Sequence, residues 1–580
     1  MATLALPYRT CASTGLRVHL AAETLVKTNA VLAVVFLALG GLAALLVVLT
    51  RWPPVHLLDA LWFYRVLTLH GLNALLFWMI FFEVALLYFA GPIVLNSRLV
   101  APGLGWAATA LMLAGALLAD LMVLLGRADV LFTAYVPLRA DPLFYLGLIL
   151  FATGALIAVS LFFASLLVAR AEGAVPGSVP LVTFGGLTAA IIALVTLTGG
   201  VITFVPAFFW SIGVLPTYDP AVYRLNFWFI GHPSQQINVS AMVTVWYLLA
   251  SLTVGATAPS EKVSRIAFTL YILFINLASA HHLLVDPAFS PAWKIWNTSY
   301  AMHLAVLGSM IHGLSVPAAV EIALRRRGYD RGLFAWLRHA PWGNPGFAAL
   351  VLSVIIFGFI GGISGVVFGT EQINIISHNT YRIPGHFHAT VAGGATLAFM
   401  GVTYYLVPLI FRRQIVWSGL ARLQPYLFGA GLTLLAVGMI MAGSYGVPRR
   451  HWDLDLTLAP APFRFAFDAP AYLFLTIATV GGLLAVVGGA LYVLITVLSV
   501  LRGPVVEKIP IPSLGPLPAT GPSLAPALGG NGEAHPGQTA HPAGHVTIRG
   551  TLVLNFFFLG VFILYYLLNW KWLAEVWPVR

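Results

Sequence analysis

The sequence predicts an all-α polytopic membrane protein, a bundle of about thirteen transmembrane helices. Three observations carry that expectation. Hydrophobic residues make up 60% of the 580 positions and charged residues only 8%, against about 25% charged in soluble domains. The mean hydropathy is +0.92. Apolar stretches near the length needed to cross a bilayer recur from one end of the chain to the other. A soluble reading fails because separate cores could not be given a polar surface. The net charge of +11 reads as membrane topology and attraction to anionic lipid, with no nucleic acid implied.

In chain order the spans fall near 28–50, 61–94, 104–126, 141–169, 180–205, 225–257 and 266–286. They continue near 297–324, 345–368, 384–411, 423–443, 470–500 and 550–574. The first is too long, and lacks the flanks, for a cleaved signal peptide. Residues 1–502 therefore read as a twelve-helix core and 549–580 as a C-terminal transmembrane helix. Between them, 503–548 is rich in Pro, Gly and Ala without periodicity, which predicts a flexible linker. His535, His541 and His545 lie in it and are assigned no site.

Lysine and arginine orient the bundle. With a cytoplasmic N-terminus, 18 of the 30 basic residues fall on inner segments, in keeping with the positive-inside rule. Arg382, Arg449 and Arg450 then fall on the outer side, where extra positive charge needs another reason.

A single cysteine, Cys11, excludes an intrachain disulfide, a CxxCH haem attachment and a thiolate cluster. Sixteen histidines leave imidazole as the means of holding a redox metal. Ionisable residues inside spans are costly and point to function. His70, His232, His281, His282, His386 and His388 come from four spans, yet all reach a similar depth in the outer part of the membrane. His386 and His388 lie about 200° apart around one helix, so one helix can serve two centres. His281 and His282 diverge by about 100° and need a ligand from elsewhere, for which His232, just before Pro233, is available. Imidazole suits iron, copper and zinc alike, so ligand type leaves the metal open.

The segments "LHGLN" at His70, "GHP" at His232, "AHHLLVDP" at His281 and His282 and "HNTYRIPGHFH" ending at His388 resemble the haem–copper oxidase superfamily. "GVPRR" at Arg449 and Arg450 resembles its haem-propionate motif. The resemblance covers spans two to twelve and is closest to the B-type, ba3-like branch of catalytic subunits. It implies that His70 and His388 ligate a low-spin haem, of b type, and His386 a high-spin haem, of b or a type. It implies that His232, His281 and His282 hold a non-haem metal, and that Arg449 and Arg450 pair with haem propionates. His378 and Arg382 sit where the family has propionate neighbours. His303 and His312 share a face of the eighth span, where packing against carbonyls competes with a proton or water route. Glu83 and Glu371 are acids in or beside spans, with proton relay and structural hydrogen bonding both open.

One departure bears on the substrate. B-type oxidases carry a tyrosine four residues after the first metal-ligating histidine, joined covalently to a histidine; here that position is Gln236. Val243 stands where another tyrosine is usual, although Tyr247 remains, and Gly308 and Ile311 replace hydroxyl residues of the inner proton path. Cleaving O₂ takes four electrons, one of them from the tyrosine, whereas coupling two NO takes two. The expectation is therefore a nitric oxide reductase catalytic subunit, 2 NO + 2 H⁺ + 2 e⁻ → N₂O + H₂O. The alternative is a B-type cytochrome oxidase reducing O₂ to water. Gln236 is expected to ligate the non-haem metal or to contact bound NO, with iron preferred over copper there.

The lone cysteine cannot build a dinuclear copper entry site. The resemblance thus implies a second subunit carrying such a copper centre or a c-type haem, with cytochrome c, a cupredoxin or a quinol as donor. It places the chain in a bacterial or archaeal cytoplasmic membrane.

Overall fold

The computed structural model describes residues 8–275, 278–287, 289–454, 467–512 and 547–576. Among them, twelve helices are long and apolar enough to cross a membrane. In chain order they are α1 (Leu20–Thr50), α2 (Ala60–Ile93), α3 (Pro102–Leu124), α4 (Pro142–Ala171), α5 (Leu181–Ser211) and α6 (Pro220–Val254). After a shorter helix, α7 (Glu261–Leu270), follow α8 (Pro291–Arg326), α9 (Pro345–Phe368), α10 (Arg382–Phe411), α11 (Ser418–Ser444), α12 (Ala469–Arg502) and α13 (Arg549–Val576). A two-stranded antiparallel hairpin, Tyr8–Thr10 against Arg17–His19, precedes α1 and has no counterpart in the sequence reading.

Local chemistry sets many of these ends. Proline opens α3, α4, α6, α8 and α9, a position whose missing N–H costs nothing. Asp59, Asp219 and Asn344 cap the helices that follow by accepting backbone N–H bonds. Gly255 ends α6 at φ 63°, a left-handed turn that glycine takes without strain.

The predicted seventh span departs from a single long helix. α7 runs into a π-helical turn at Tyr271–Ile275, and a 3₁₀ segment, Ala278–Leu283, carries His281 and His282. Similar π-helical turns interrupt α2 at Leu72–Phe77, α9 at Ile356–Gly362 and α10 at His388–Thr396. Such wide turns are common at functional sites, and apolar periodicity does not reveal them.

In a bilayer, helices associate by close packing, which favours small residues at contacts. A Cβ on Gly115 of α3 would lie 2.4 Å from the Gly147 carbonyl of α4. A Cβ on Gly481 of α12 would lie 2.3 Å from Leu435 N of α11. No larger residue fits either place without parting the helices.

α13 is mostly exposed apolar surface, with Phe556 71% and Phe557 61% accessible, as suits a lipid-facing helix. Polar clamps hold its two ends. At one end the fully buried Glu321 of α8 accepts from Gly550 N at 3.0 Å, Thr551 N at 2.7 Å and Thr551 Oγ1 at 2.6 Å. Arg325 Nε completes its shell at 2.7 Å. At the other end Arg382 donates to Asn569 and stacks over Trp572 at 4.4 Å. Removing one partner of a buried charged pair costs about 3–5 kcal/mol. Glu321→Ala is therefore expected to lower the thermal midpoint by several degrees and to open the first turn of α13 to protease. An unchanged melting profile and digestion pattern would count against the clamp.

The first ten residues of the predicted linker pack on the body. Pro504 O accepts from Gln414 N at 2.9 Å, and Ile509 N donates to Ser13 Oγ at 2.8 Å. The rest of the linker up to residue 546, with His535, His541 and His545, lies outside the described residues.

Candidate functional site

His70 of α2 and His388 of α10 face each other across a cavity of about 590 Å³. Their rings are nearly parallel, 15° apart, with centroids separated by 6.0 Å. Two imidazoles sharing one metal through bonds of about 2.0–2.1 Å would place their centroids roughly 6 Å apart. The outer nitrogens are tied down: Nδ1 of His70 donates to Gly40 O at 3.0 Å and Nδ1 of His388 to Pro384 O at 2.8 Å. Because a carbonyl can only accept, both rings are Nδ1–H tautomers that keep the Nε2 lone pair for a metal. Cavity size, ring spacing and tautomer all fit a six-coordinate haem.

Arg449 and Arg450 line the same cavity. They belong to a loop joined to the segment before α10: Val447 O accepts from Tyr381 N at 2.7 Å, and Arg449 N donates to Asn379 O at 2.8 Å. Thus "GVPRR" and "HNTYR", far apart in sequence, form one hydrogen-bonded unit. Arg449 Nε has no hydrogen-bond partner among the described residues. Burial, with Arg450 beside it, pushes the Arg449 pKa down to about 9. A cation drawn into such surroundings calls for an anion, which a carboxylate on a cavity ligand would supply.

The cavity also contains a residue that the sequence reading missed. Arg51, just past α1, is buried, lines the cavity and lies 4.6 Å over the Tyr381 ring. Its guanidinium donates to Pro448 O at 2.7 Å and to His451 O, while Nε has no hydrogen-bond partner among the described residues. A lone arginine at a helix end resembles an ordinary topology signal, so nothing in the sequence separated it from the others.

His386 points away from that cavity, as the angular spacing predicts. Its Nδ1 donates to Gly361 O at 2.9 Å and lies 3.0 Å from Ser364 Oγ, which again keeps Nε2 for a metal. A Cβ on Gly365 would come within 2.8 Å of the His386 ring, so the ring occupies space that only glycine leaves open.

His232, His281 and His282 converge. One ligand atom from each lies within 4.8 Å of the others, and His232 Nδ1 is 3.2 Å from His282 Nε2. The ring centroids are 4.0 Å apart for His281 and His282, and 4.6 Å for His232 and His281. Trp228, one turn before His232, stacks on His282 at 3.8 Å and 6°, fixing the plane of that ring. Its role was hidden because aromatic residues are plentiful throughout the chain. The donor set of three imidazoles fits a single copper or iron ion.

Gln236 lies where the missing tyrosine would be. Its amide nitrogen is 3.4 Å from His232 Nε2, the ring nitrogen opposite the one that faces His282. The side chain thus meets the edge of the His232 ring that faces away from His282; this is the contact shown for a residue expected to ligate the metal or touch bound NO.

Among the remaining candidates, the charges around His378 are Arg449, Arg224, Arg450 and Asp286; burial and then Arg449 push its pKa down to about 4. Arg382 instead clamps α13. Glu371 lies 3.6 Å from Lys294. His303 is exposed and contacts Thr298 O at 3.0 Å, so it does not share a face with the buried His312 as expected: nine residues turn a helix by about 180° net. His312 is fully buried, and its Nδ1 lies 3.0 Å from Tyr247 OH, which is also 3.0 Å from Ser264 Oγ. Ser264 in turn reaches Ser315 at 3.3 Å, and Tyr271 OH reaches Ser309 at 2.9 Å. Hydroxyls are therefore present near Gly308 and Ile311, from neighbouring positions that an ungapped comparison passes over.

A family model described as cytochrome c and quinol oxidase polypeptide I matches residues 24–487. Cytochrome c oxidase subunit 1 of Thermus thermophilus is 33% identical over 458 residues, covering 78% of this chain and 79% of the relative. Cytochrome c oxidase subunit 1 of a Synechocystis species is 26% identical over 422 residues, covering 68% and 71%. Among solved structures, a haem–copper terminal oxidase dimer superposes with a TM-score of 0.80 at 24% identity, covering 95% of this chain and 92% of that one.

Proposed function

The chain belongs to the cytochrome c and quinol oxidase polypeptide I family, and from that premise we propose that it is the catalytic subunit of a terminal oxidase reducing O₂ to water. The observation that carries this reading is the converging trio His232, His281 and His282, in a chain whose relatives, at 33% and 26% identity, are named cytochrome c oxidases. The comparisons thus favour the reading that the sequence ranked second, and none of them supports nitric oxide reduction by name. As an oxidoreductase of this family the protein works in respiratory electron transport as a multi-pass membrane protein. The N-terminus is proposed to be cytoplasmic.

His70 and His388 would hold a low-spin haem, His386 a high-spin haem, and the trio copper, with iron the alternative. When bound, these groups supply electron storage and the binding of a diatomic gas. The protein fixes tautomers through Gly40, Pro384 and Gly361, balances carboxylates with Arg449, Arg450 and Arg51, and holds the trio with Trp228. Were Nδ1 of His232 to hold the metal, its Nε2–H would donate to the Gln236 carboxamide oxygen with that amide turned over. Gln236 is then a positioning residue for the ring. Electrons are proposed to enter from a second subunit bearing a dinuclear copper centre or c-type haem, fed by cytochrome c, a cupredoxin or a quinol.

Gln236 itself favours a second reading. No side chain from Pro233 to Val239 can supply an electron, so oxygen chemistry must draw its fourth electron from beyond that turn. Nitric oxide coupling needs only two. Gas-consumption assays on the purified, reduced protein separate the two. The oxidase reading expects O₂ uptake to water well above NO turnover. Rapid N₂O formation with negligible O₂ uptake would replace it with the nitric oxide reading.

A further inference from the structure

Glu83 sits ten residues before the end of α2 and is 4% exposed. Neither of its carboxyl oxygens has a hydrogen-bond partner among the described residues. It lines a second cavity, of about 130 Å³, separate from the one between His70 and His388. Almost every other lining group is apolar, and Glu83 is the only titratable residue in the lining. The polar exceptions are Thr196, Ser234 and Gln235. Thr196 is occupied, its Oγ1 donating to Ile192 O at 3.0 Å. Ser234 and Gln235, together with the lining residue Gly231, belong to the turn of α6 that carries His232 and Gln236.

An ionised carboxylate without partners is far too costly in such surroundings. A neutral carboxylic acid is tolerated, since its one O–H donor and its acceptor sites can be met by water. The cavity has room for a few water molecules at about 30 Å³ each. Ser234 Oγ already donates to Gly231 O at 2.9 Å, and Gln235 Oε1 accepts from Asn238 at 3.3 Å, but each oxygen keeps an acceptor site, and with the Glu83 carboxyl these give water the two to four polar partners it requires. The acid in α2 and the turn of α6 behind the histidine trio thus line one and the same cavity.

We propose that Glu83 is a proton-holding relay residue that feeds the histidine trio through water in this cavity. The step is a simple proton exchange. The Glu83 O–H bond breaks, the proton passes to cavity water and on to the site, and a second proton restores the acid, with electrons coming from the donor. The proposal rests on the gas-reducing reading, because either gas consumes protons with each electron delivered.

The test uses the whole complex with its haems. Glu83→Gln is expected to slow turnover by at least about tenfold with both haem spectra unchanged, and Glu83→Asp to keep more activity than Glu83→Gln. In redox-difference infrared spectra the unaltered protein should show a carboxylic-acid C=O band that shifts in D₂O and vanishes in Glu83→Gln. Turnover of Glu83→Gln within twofold of the unaltered protein would overturn the proposal. So would the absence of the D₂O-sensitive band from the unaltered protein, a result that does not depend on whether any variant folds. Failure of the gas-reducing reading is a different outcome, seen as an unaltered protein that consumes neither O₂ nor NO.

Discussion

His282→Ala is expected to abolish gas reduction, by at least about a thousandfold or ~4 kcal/mol of barrier, while both haem spectra persist. The trio would offer three neutral imidazoles to one ion, and removing one would leave two ligands from different elements with no carboxylate in the group. The substitution also deletes the ring on which Trp228 is stacked, so the neighbouring side chains close over the gap. Metal analysis beside visible spectroscopy is the check. The non-haem metal should fall far below one per chain, with two haems retained. A variant that keeps full metal and full turnover would dismiss the three-histidine centre.

His388→Ala is the second large effect, and it strikes a different centre. The low-spin haem spectrum should disappear, whereas the high-spin haem should still bind carbon monoxide, because His386 is held independently by Gly361 and Ser364. Turnover with an external donor should fall by a comparable factor, since electrons lose their way in. His70→Ala should behave alike, because the two rings enclose one space at 6.0 Å. If both variants keep a normal low-spin spectrum, the pairing of these two residues is mistaken.

Much of this was legible in the sequence, for identifiable physical reasons. A bilayer demands long apolar runs, so α2 and α9 begin and end within a residue or two of where hydropathy places them. Charge inside such runs is costly, so six histidines at one depth stood out, and angular spacing alone sent His386 and His388 to opposite sides. What stayed hidden depends on contacts between distant segments. Arg382 reads as a propionate neighbour until α13, 187 residues onward, presents Asn569 to it. Arg51 becomes a cavity residue only when the loop at Pro448 folds over it. The break in the seventh span, where a 3₁₀ segment replaces α-helix around His281 and His282, leaves no mark in hydropathy. Gln236 was picked out by its position, but its partner, the far nitrogen of His232, is a matter of side-chain geometry.

The placement of His386 and His388 on one helix has a mechanical consequence. Membranes thicken, thin and bend, and helices answer by tilting. Two centres mounted on separate helices would drift apart or together as the bilayer fluctuates. Here the two imidazoles ride on a single rod, and at most about 7 Å of chain separates their backbones. A tilt of α10 carries both rings along as passengers and leaves their spacing untouched. If these two rings hold the two haems as proposed, the gap that electrons would cross between them is set by one rod and insulated from the weather of the lipid, whereas His70 on α2 and His232 on α6 remain free to feel it.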